Sequence, residues 1–473
     1  MENRTRQLAG TSAMLLAGKI GSQLVSFLLL PLYTAILAPQ AYGIVDLFNT
    51  YTTLLLPIVS FQLDMGLFRF MLDVRGREDQ HKKMLSTVML INGLQVAVYA
   101  LIYILVQTHI HSEYKIFLLL HVVLNVASNT FLQFARGRGN NSAYAVASFL
   151  SATVMILLNV LFVAVLRIGA LGLFLGVVGG NVAQIIYLFF SQKIWRYFSI
   201  RGYDRKIAKD ISRFSIPLIP SVISWWTINA SDRTVIAYFL NTAANGIYSI
   251  ASKFSAMISV VYNIFYLAWS ETVSQHIDDA DINSFLSSTI NDLYKLFFSF
   301  CLCLISVMPF VFPFFVNVQY NEAKPLIPIL VMAVFFSILC GLFSVVFHAR
   351  KNTKENAKTA IFAAIINLAI DIVFIRKLGL YAAALATLIA FLSMTVYRYF
   401  SVQKYTRIKM SGKMVLFSLF PATLVFVAYY TGIVGIQVIA FAFAITYSVL
   451  ANRKTLRSLI TIVLERLRKG NPL

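Results

Sequence analysis

Three basic residues, Lys19, Arg233 and Lys253, lie within stretches of sequence that are otherwise apolar. Two carboxylates, Asp46 and Asp232, lie in stretches of the same kind. A charge at the centre of a bilayer costs at least about 2.5 kcal/mol, so it usually faces a cavity and marks a pathway. Ammonium and guanidinium groups bind phosphate oxygens well. These residue types therefore predict a site for an anion, and they do not form the acid, base and nucleophile set of a catalytic centre.

The charges belong to polar stripes on four apolar segments, because residues at i, i+3, i+4, i+7 and i+11 share one helix face. The stripes are Ser12, Lys19, Gln23 and Ser26; Asp46, Thr50, Thr53, Ser60 and Asp64; Ser221, Trp225, Asn229 and Asp232; and Ser249, Lys253 and Asn263. We expect the stripes to surround one central, water-filled cavity. The residues predicted to bind a substrate there are Lys19, Gln23, Asp46, Trp225, Asn229, Asp232, Arg233, Lys253 and Asn263.

All of these charges except Lys19 also have a structural explanation. Asp232 and Arg233 could form a local ion pair, and Lys253 could extend its ammonium outward to the membrane surface. Asp46 is close to an outer helix start, where a carboxylate suits the helix dipole. Lys19 is different, because it lies about 16 Å from the cytoplasmic end of its helix, beyond the reach of its side chain. Lys19 is therefore the charge that most favours a cavity.

The composition indicates an all-α polytopic membrane protein. The chain has 473 residues, of which 59% are hydrophobic and 12% are charged, whereas soluble proteins carry about 25% charged residues. The net charge of +21 comes from basic residues in short loops between apolar runs, so we expect no nucleic-acid partner. The spacing of the three cysteines gives neither a disulfide framework nor a zinc pattern, and we expect no cofactor and no metal.

A membrane-spanning helix needs about 20 mainly apolar residues. On this criterion the sequence predicts fourteen spans, and its longest connection, near 193–213, is a basic linker too short for a soluble domain. The spans lie near 8–36, 41–66, 84–107, 115–135, 142–166, 170–192, 211–240, 244–273, 289–316, 326–347, 359–376, 380–400, 413–431 and 433–450.

The distribution of Lys and Arg predicts that both termini are cytoplasmic. With that orientation, 31 basic residues lie on the cytoplasmic side, 5 lie outside and 4 lie within spans. This asymmetry is the one that the positive-inside rule describes. The segment 275–288 is the exception, since it is predicted to be cytoplasmic but contains no Lys or Arg.

The sequence contains an internal repeat. Tyr42-Gly43-Ile44-Val45 matches Asn245-Gly246-Ile247-Tyr248 at an offset of 203, and the triplet Gly172, Gly176 and Gly180 matches Ala382, Ala386 and Ala390 at an offset of 210. Small residues four apart allow membrane helices to pack closely. We therefore predict a six-helix bundle over 1–200, a repeated bundle over 201–404 and an extra helix pair with a basic tail over 405–473. Six spans per half give both halves the same orientation around a pseudo-twofold axis along the membrane normal.

Two stretches carry a resemblance to a known family. One runs from Asp232-Arg233 through Tyr238-Phe239-Leu240 and Asn245-Gly246-Ile247-Tyr248 to Lys253, and the other is Arg376–Ala386 after Asn367. They resemble the Wzx-like flippases of bacterial O-antigen, capsule and related polysaccharides. That family belongs to the multidrug/oligosaccharidyl-lipid/polysaccharide exporter superfamily, and the likeness extends over essentially the whole chain.

This resemblance implies a flippase in the bacterial cytoplasmic membrane. It implies a substrate of undecaprenyl-diphosphate-linked oligosaccharide, movement between leaflets by alternating access, and a last helix pair that helps to form a groove for the lipid tail. Its partners would be this lipid-linked sugar, membrane lipid and a polysaccharide polymerase. A gradient of H⁺ or of Na⁺ and the gradient of the substrate itself are the alternative energy sources. Two alternatives remain within the superfamily, a lipid II flippase and a multidrug exporter. A membrane enzyme is disfavoured, because the outer loops are only a few residues long.

Overall fold

The computed structural model describes residues 27–74, 76–350, 352–453 and 457, and these residues are mainly α-helical and contain no β-strand. The all-α fold predicted from the composition is therefore confirmed. The described residues form α1 (Leu30–Ile36), α2 (Pro39–Ser60), α3 (Leu63–Asp73), α4 (Glu78–Val106), α5 (Lys115–Gly137), α6 (Asn141–Asn159), α7 (Ala170–Ser191), α8 (Ile194–Tyr197), α9 (Arg205–Ser215), α10 (Ile219–Phe239), α11 (Thr242–His276), α12 (Ile282–Phe315), α13 (Ile327–Ala349), α14 (Thr353–Leu378), α15 (Leu380–Val402), α16 (Gly412–Thr431) and α17 (Val434–Ala451).

Eleven helices in the described part are long and apolar enough to cross a membrane, and α11 makes a twelfth if its bent halves are one span. The chain is thus a multi-pass membrane protein, but the predicted count of fourteen spans is not confirmed. Most of the first predicted span, 8–36, falls outside the described residues. The seventh corresponds to α10, which is not among the apolar helices and carries polar residues such as Asn229 and Asp232.

The described residues fall into two compact units, one ending at Gly246 and the other beginning at Ile247. The first unit has a core of fully buried side chains from several helices, including Leu67, Leu85 and Phe134. The division into 1–200, 201–404 and 405–473 rests on the repeat. It stays a prediction, because the compactness of a unit does not reveal internal repetition.

The glycine triplet in the first unit brings two helices into direct contact. A Cβ atom added to Gly176 would lie 1.9 Å from Oδ1 of Asn159, and one added to Gly180 would lie 2.7 Å from the backbone oxygen of Ser151. Both partners belong to α6, whereas the glycines belong to α7. The prediction that these small residues permit close helix packing is confirmed for this pair.

In the second unit, a buried arginine joins the ends of three helices. Arg398 on α15 is completely buried. Its Nε donates to Oγ1 of Thr359 on α14 at 2.9 Å, and its Nη1 donates to the backbone oxygen of Cys340 on α13 at 3.0 Å. These charge-assisted hydrogen bonds compensate part of the cost of burying the guanidinium.

The last helix pair packs on α12 in the second unit. The hydroxyls of Tyr294 and Ser418 are 2.7 Å apart, and Nδ2 of Asn452 donates to Oγ of Ser299 at 3.0 Å. All four residues are buried. The pair therefore contributes to the packing of this unit, in addition to any role that it has with a lipid tail.

The segment 275–288 lies at the same end of the second unit as two basic loops. Nη1 of Arg350 is 2.5 Å from Oδ1 of Asp278, and the backbone N–H of Arg407 donates to Oδ1 of Asn283 at 2.9 Å. The segment without Lys or Arg thus shares its end with loops that the positive-inside rule assigns to the cytoplasm.

The second predicted span is interrupted where the sequence predicts a continuous helix. Phe61 and Gln62 both adopt left-handed backbone conformations, with φ of 49° and 55°, and they separate α2 from α3. An offset of 203 takes position 61 to position 264. That position lies between Asn263 and Ala268, where α11 bends by 42°. The helix interruption in one span and the bend in its repeat-related span therefore lie at equivalent positions.

Candidate functional site

An ion pair joins α2 and α10 in the first unit. Nε of Arg233 lies 2.9 Å from Oδ2 of Asp46, and the two side chains are 18% and 21% exposed. Nη1 of Arg233 also donates to the backbone oxygen of Asn229 at 2.9 Å, one turn earlier on the same helix. The guanidinium is therefore oriented by its own helix and presented to a carboxylate that is distant in sequence.

The two charges lie at the same depth in their helices. Asp46 is seven residues after Pro39, where α2 begins, and Arg233 is six residues before Phe239, where α10 ends. At a rise of 1.5 Å per residue, both lie about 10 Å from those ends. The orientation predicted from the Lys and Arg distribution puts both helix ends on the outer side, and on that prediction the pair would lie within the outer half of the membrane.

Two further hydrogen bonds extend the contact between these segments. Nε1 of Trp226 donates to the backbone oxygen of Thr50 at 3.0 Å. Nδ2 of Asn245 donates to the backbone oxygen of Gly43 at 2.9 Å, and this second bond is buried. Together with the ion pair, they connect the first half of the predicted repeat to the first two spans of the second half.

Two glycines at equivalent repeat positions let the backbones touch at the outer end of this contact. A Cβ atom on Gly43 would lie 1.8 Å from the backbone oxygen of Thr242 and 2.7 Å from the nitrogen of Gly246. A Cβ atom on Gly246 would lie 2.0 Å from the backbone oxygen of Pro39. Side chains never approach so closely, so this arrangement requires glycine at both positions.

The structure brings three of the predicted site residues together: Asp46, Asn229 and Arg233. Trp225 lies on the same helix and accepts a hydrogen bond from Nδ2 of Asn229 through its backbone oxygen at 2.8 Å. Asp232 is only 2% exposed, although it precedes Arg233 in the sequence. Consecutive helix residues point about 100° apart, which separates the surroundings of these two charges.

The remaining predicted residues lie in the second unit or outside the described residues. Lys253, which is half-buried, and Asn263, which is exposed, belong to α11 in the second unit. Lys19 and Gln23 lie outside the described residues. Because Asp46 neutralises Arg233, a positive excess at the site would depend on Lys19 and Lys253.

The sequence analysis did not single out Trp226, Asn245, Gly43 or Gly246 as site residues. For the glycines and Asn245 a signal was present, because the repeat aligns Gly43 with Gly246 and places Asn245 beside it. For Trp226 we find no comparable signal, since its indole contacts a backbone oxygen 176 residues away.

The His, Cys, Asp and Glu residues of the described ranges are dispersed. There, His, Cys, Asp and Glu do not gather in groups of three or more that could hold a metal ion. Cys301, Cys303 and Cys340 are thiols within apolar helices of the second unit, and two of them are buried. The described site residues can therefore pair with an anion or a cation and exchange hydrogen bonds with hydroxyl groups.

The comparison with protein families gives one match. The model described as "Polysaccharide biosynthesis protein" matches residues 8–270, which is more than half of the chain. A comparison with curated proteins gives no match.

Solved structures share the fold at low sequence identity. A lipid II flippase, MurJ, in an inward closed conformation is 18% identical with a TM-score of 0.69, and the match covers 95% of this chain and 100% of that chain. An inward-facing multidrug resistance transporter of the MATE family and MOP superfamily is 15% identical with a TM-score of 0.67, covering 81% and 95%. An outward-facing MATE family transporter is 16% identical with a TM-score of 0.58, covering 83% and 93%. These similarities establish the fold.

Proposed function

We propose that this chain, which belongs to the polysaccharide biosynthesis protein family, is a flippase for a lipid-linked precursor of a polysaccharide. The proposal rests mainly on the fold of this chain. This fold is shared with a lipid II flippase over 95% of this chain and all of that one. A polysaccharide family with a flippase fold is best explained by transport of a sugar precursor attached to a lipid.

The proposed substrate is an undecaprenyl-diphosphate-linked oligosaccharide, and Arg233 is proposed as a ligand of the diphosphate. The arginine has the planar donor geometry that suits phosphate oxygens. Its bond to Asp46 holds it in position, and a diphosphate would compete with that carboxylate for the same donors. Lys253 and Lys19 are proposed as the further cations of the site, and the proposal for Lys19 rests on the sequence alone.

The proposed mechanism is alternating access from the cytoplasmic to the outer leaflet of the bacterial cytoplasmic membrane. In this mechanism the contacts of α2 with α10 and, near Gly43 and Gly246, with the start of α11 close the outer side and must separate to release the substrate. Either H⁺ or Na⁺ would supply the coupling ion, and a polysaccharide polymerase would receive the product.

Two alternatives in the same superfamily each have one supporting observation. The similarity to the lipid II flippase supports lipid II itself as the substrate. The similarity to MATE family transporters supports an exporter of small molecules. The family description over residues 8–270 favours the polysaccharide precursor over both.

A flipping assay in vesicles distinguishes these functions. We expect the purified chain to move a fluorescent undecaprenyl-diphosphate oligosaccharide between leaflets without changing its mass, and to move lipid II more slowly. Vesicles without protein are the control. A product of altered mass would indicate an enzyme. Faster movement of lipid II would indicate a lipid II flippase, and export of an organic cation would indicate a multidrug exporter.

Labelling of single cysteines checks the proposed orientation. In a variant without the native cysteines, we expect Ser284→Cys to be protected from an impermeant thiol reagent added outside, and His111→Cys to react. Both native side chains are exposed, so access alone does not separate them. Reaction at position 284 and protection at position 111 would show that the chain has the opposite orientation.

A further inference from the structure

A polar cavity of about 620 Å³ lies in the first unit, between the α5–α6 connection and the end of α7 with the start of α8. Three cations line it: Arg138, Lys193 and Arg196. It lies near the ends of α5 and α7 that the positive-inside rule assigns to the cytoplasm. The proposed transport mechanism uses none of these residues.

Two of the three cations are available to a ligand. Arg138 pairs with Glu78 at 3.3 Å, and its guanidinium carbon lies 4.6 Å from the ring centroid of Tyr197. The Tyr197 hydroxyl donates to the same carboxylate, and burial and this hydrogen bond raise the pKa of the phenol. Lys193 and Arg196 are exposed and make no ion pair with any residue that the structure describes. The cavity therefore has a fixed arginine and two cations without a counter-charge.

A buried amide in the lining also lacks a partner. Gln192 is only 2% exposed. Its Nε2 donates to Oγ of Ser191 at 3.3 Å, but its Oε1 has no hydrogen-bond partner among the described residues. A buried acceptor without a donor is costly, so a rotation of this amide that turns Oε1 toward the cavity would let a ligand hydroxyl stabilise it.

The first turn of α6 adds favourable electrostatics. Asn140, which lines the cavity, caps this helix by accepting from the backbone N–H of Ala143 at 3.0 Å. The helix continues for 19 residues, so its positive end is directed at the same space. A phosphate group suits a helix N-terminus that already has cations beside it.

The cavity lies beside aromatic side chains typical of a membrane interface. Trp195 and Phe190 are 46% and 63% exposed, and their ring centroids are 5.8 Å apart. Exposed aromatic rings at helix ends are enriched at the level of the lipid head groups. Basic pockets between helices on the cytoplasmic side of membrane proteins bind anionic head groups.

We propose that this cavity binds the phosphate of a cytoplasmic-leaflet lipid whose head group carries free hydroxyls, as in phosphatidylglycerol. Lys193 and Arg196 contact the phosphate, and Oε1 of Gln192 accepts a head-group hydroxyl. The aromatic pair lies against the acyl chains. Soluble glycerol phosphate has the same head-group chemistry, but it lacks the chains that these rings would contact.

The first test counts lipids retained by the full chain in native mass spectrometry after extraction from equal mixtures of phosphatidylglycerol and phosphatidylcholine. We expect Lys193→Gln with Arg196→Gln to lower the preference for phosphatidylglycerol by about fivefold for each charge removed. The matched control is Lys82→Gln with Lys83→Gln, which removes two exposed charges at the start of α4. An equal loss in both double variants would overturn the site and leave only general surface attraction.

A second test concerns the hydroxyl and the source of the phosphate. We expect Gln192→Leu to abolish the preference for phosphatidylglycerol over phosphatidic acid, which lacks the alcohol hydroxyls of a glycerol head group. We also expect soluble glycerol phosphate not to displace the lipid; displacement would assign the site to a soluble ligand. If Gln192→Leu raises thermal stability and leaves the lipid preference unchanged, the amide belongs to the core and the proposal fails.

Discussion

Replacing Arg233 with alanine is expected to lower the rate of oligosaccharide flipping in vesicles by about ten- to a hundredfold. The guanidinium is proposed to bind the diphosphate, and a hydrogen bond to a charged group contributes about 1.5–3 kcal/mol. Expression and thermal stability should change little, because the side chain is partly exposed and its bond to Asp46 is not fully buried. Arg233→Lys should recover only part of the rate, since a point charge replaces a bidentate donor.

The partner carboxylate separates ligand binding from a purely structural ion pair. If Arg233 exchanges Asp46 for the diphosphate, Asp46→Asn should retain substrate binding and lose less transport than Arg233→Ala. Arg213→Ala, which removes an exposed arginine from α9, is the control. Equal losses in Asp46→Asn and Arg233→Ala, with no further loss in the double variant, would mean that the pair only holds α2 against α10.

Replacing Gly43 with alanine is expected to stop the outer ends of α2 and α11 from closing. The new Cβ would lie 1.8 Å from the backbone oxygen of Thr242, so the two backbones must move apart by more than an ångström. Overpacking of this kind costs about 1–3 kcal/mol, which lowers the ratio of closed to open states by roughly five- to a hundredfold. Flipping should fall accordingly, and a thiol introduced by Thr50→Cys should react faster with a reagent added outside.

A second glycine provides the control for this experiment. Gly93 lies within α4, and a Cβ atom there would have no neighbouring heavy atom within 4 Å. Gly93→Ala should therefore leave transport and labelling unchanged, with a small gain in stability from the restricted unfolded chain. Normal flipping and unchanged labelling in Gly43→Ala would show that the close backbone contact is not needed for closure.

The sequence predicted the features that depend on local pattern. Apolar runs located the helices, and the repeat aligned Gly43 with Gly246, whose backbones lie against each other in the structure. Asn229 and Arg233 were both predicted as site residues, and a spacing of four places them on one helix face, although the polar stripe on α10 grouped Asn229 with Asp232 instead. Each of these predictions required only the period of a helix or a comparison of the chain with itself.

The features that the sequence did not predict depend on tertiary contacts. Arg233 pairs with Asp46 although 187 residues separate them, whereas Asp232, the neighbour of Arg233 in the sequence, is only 2% exposed. The end of α2 at Phe61 was equally inaccessible, because phenylalanine and glutamine do not favour left-handed backbone conformations. Pairing and backbone strain of this kind are imposed by the packing of the whole unit.

The break between α2 and α3 reduces the mechanical cost of movement. The two helices carry separate hydrogen-bond ladders, since α2 ends at Ser60 and α3 begins at Leu63. A tilt of α2 about Phe61 and Gln62 would therefore strain two pairs of torsion angles and leave both ladders whole. Such a tilt would lose the side-chain contacts to α10 and disturb the packing of Val59 against Val122 and Val126 on α5. The buried anchoring of α3 on α5 and α9 would be untouched. The outer half of this span can thus pivot as a rigid helix, with Phe61 and Gln62 as its hinge.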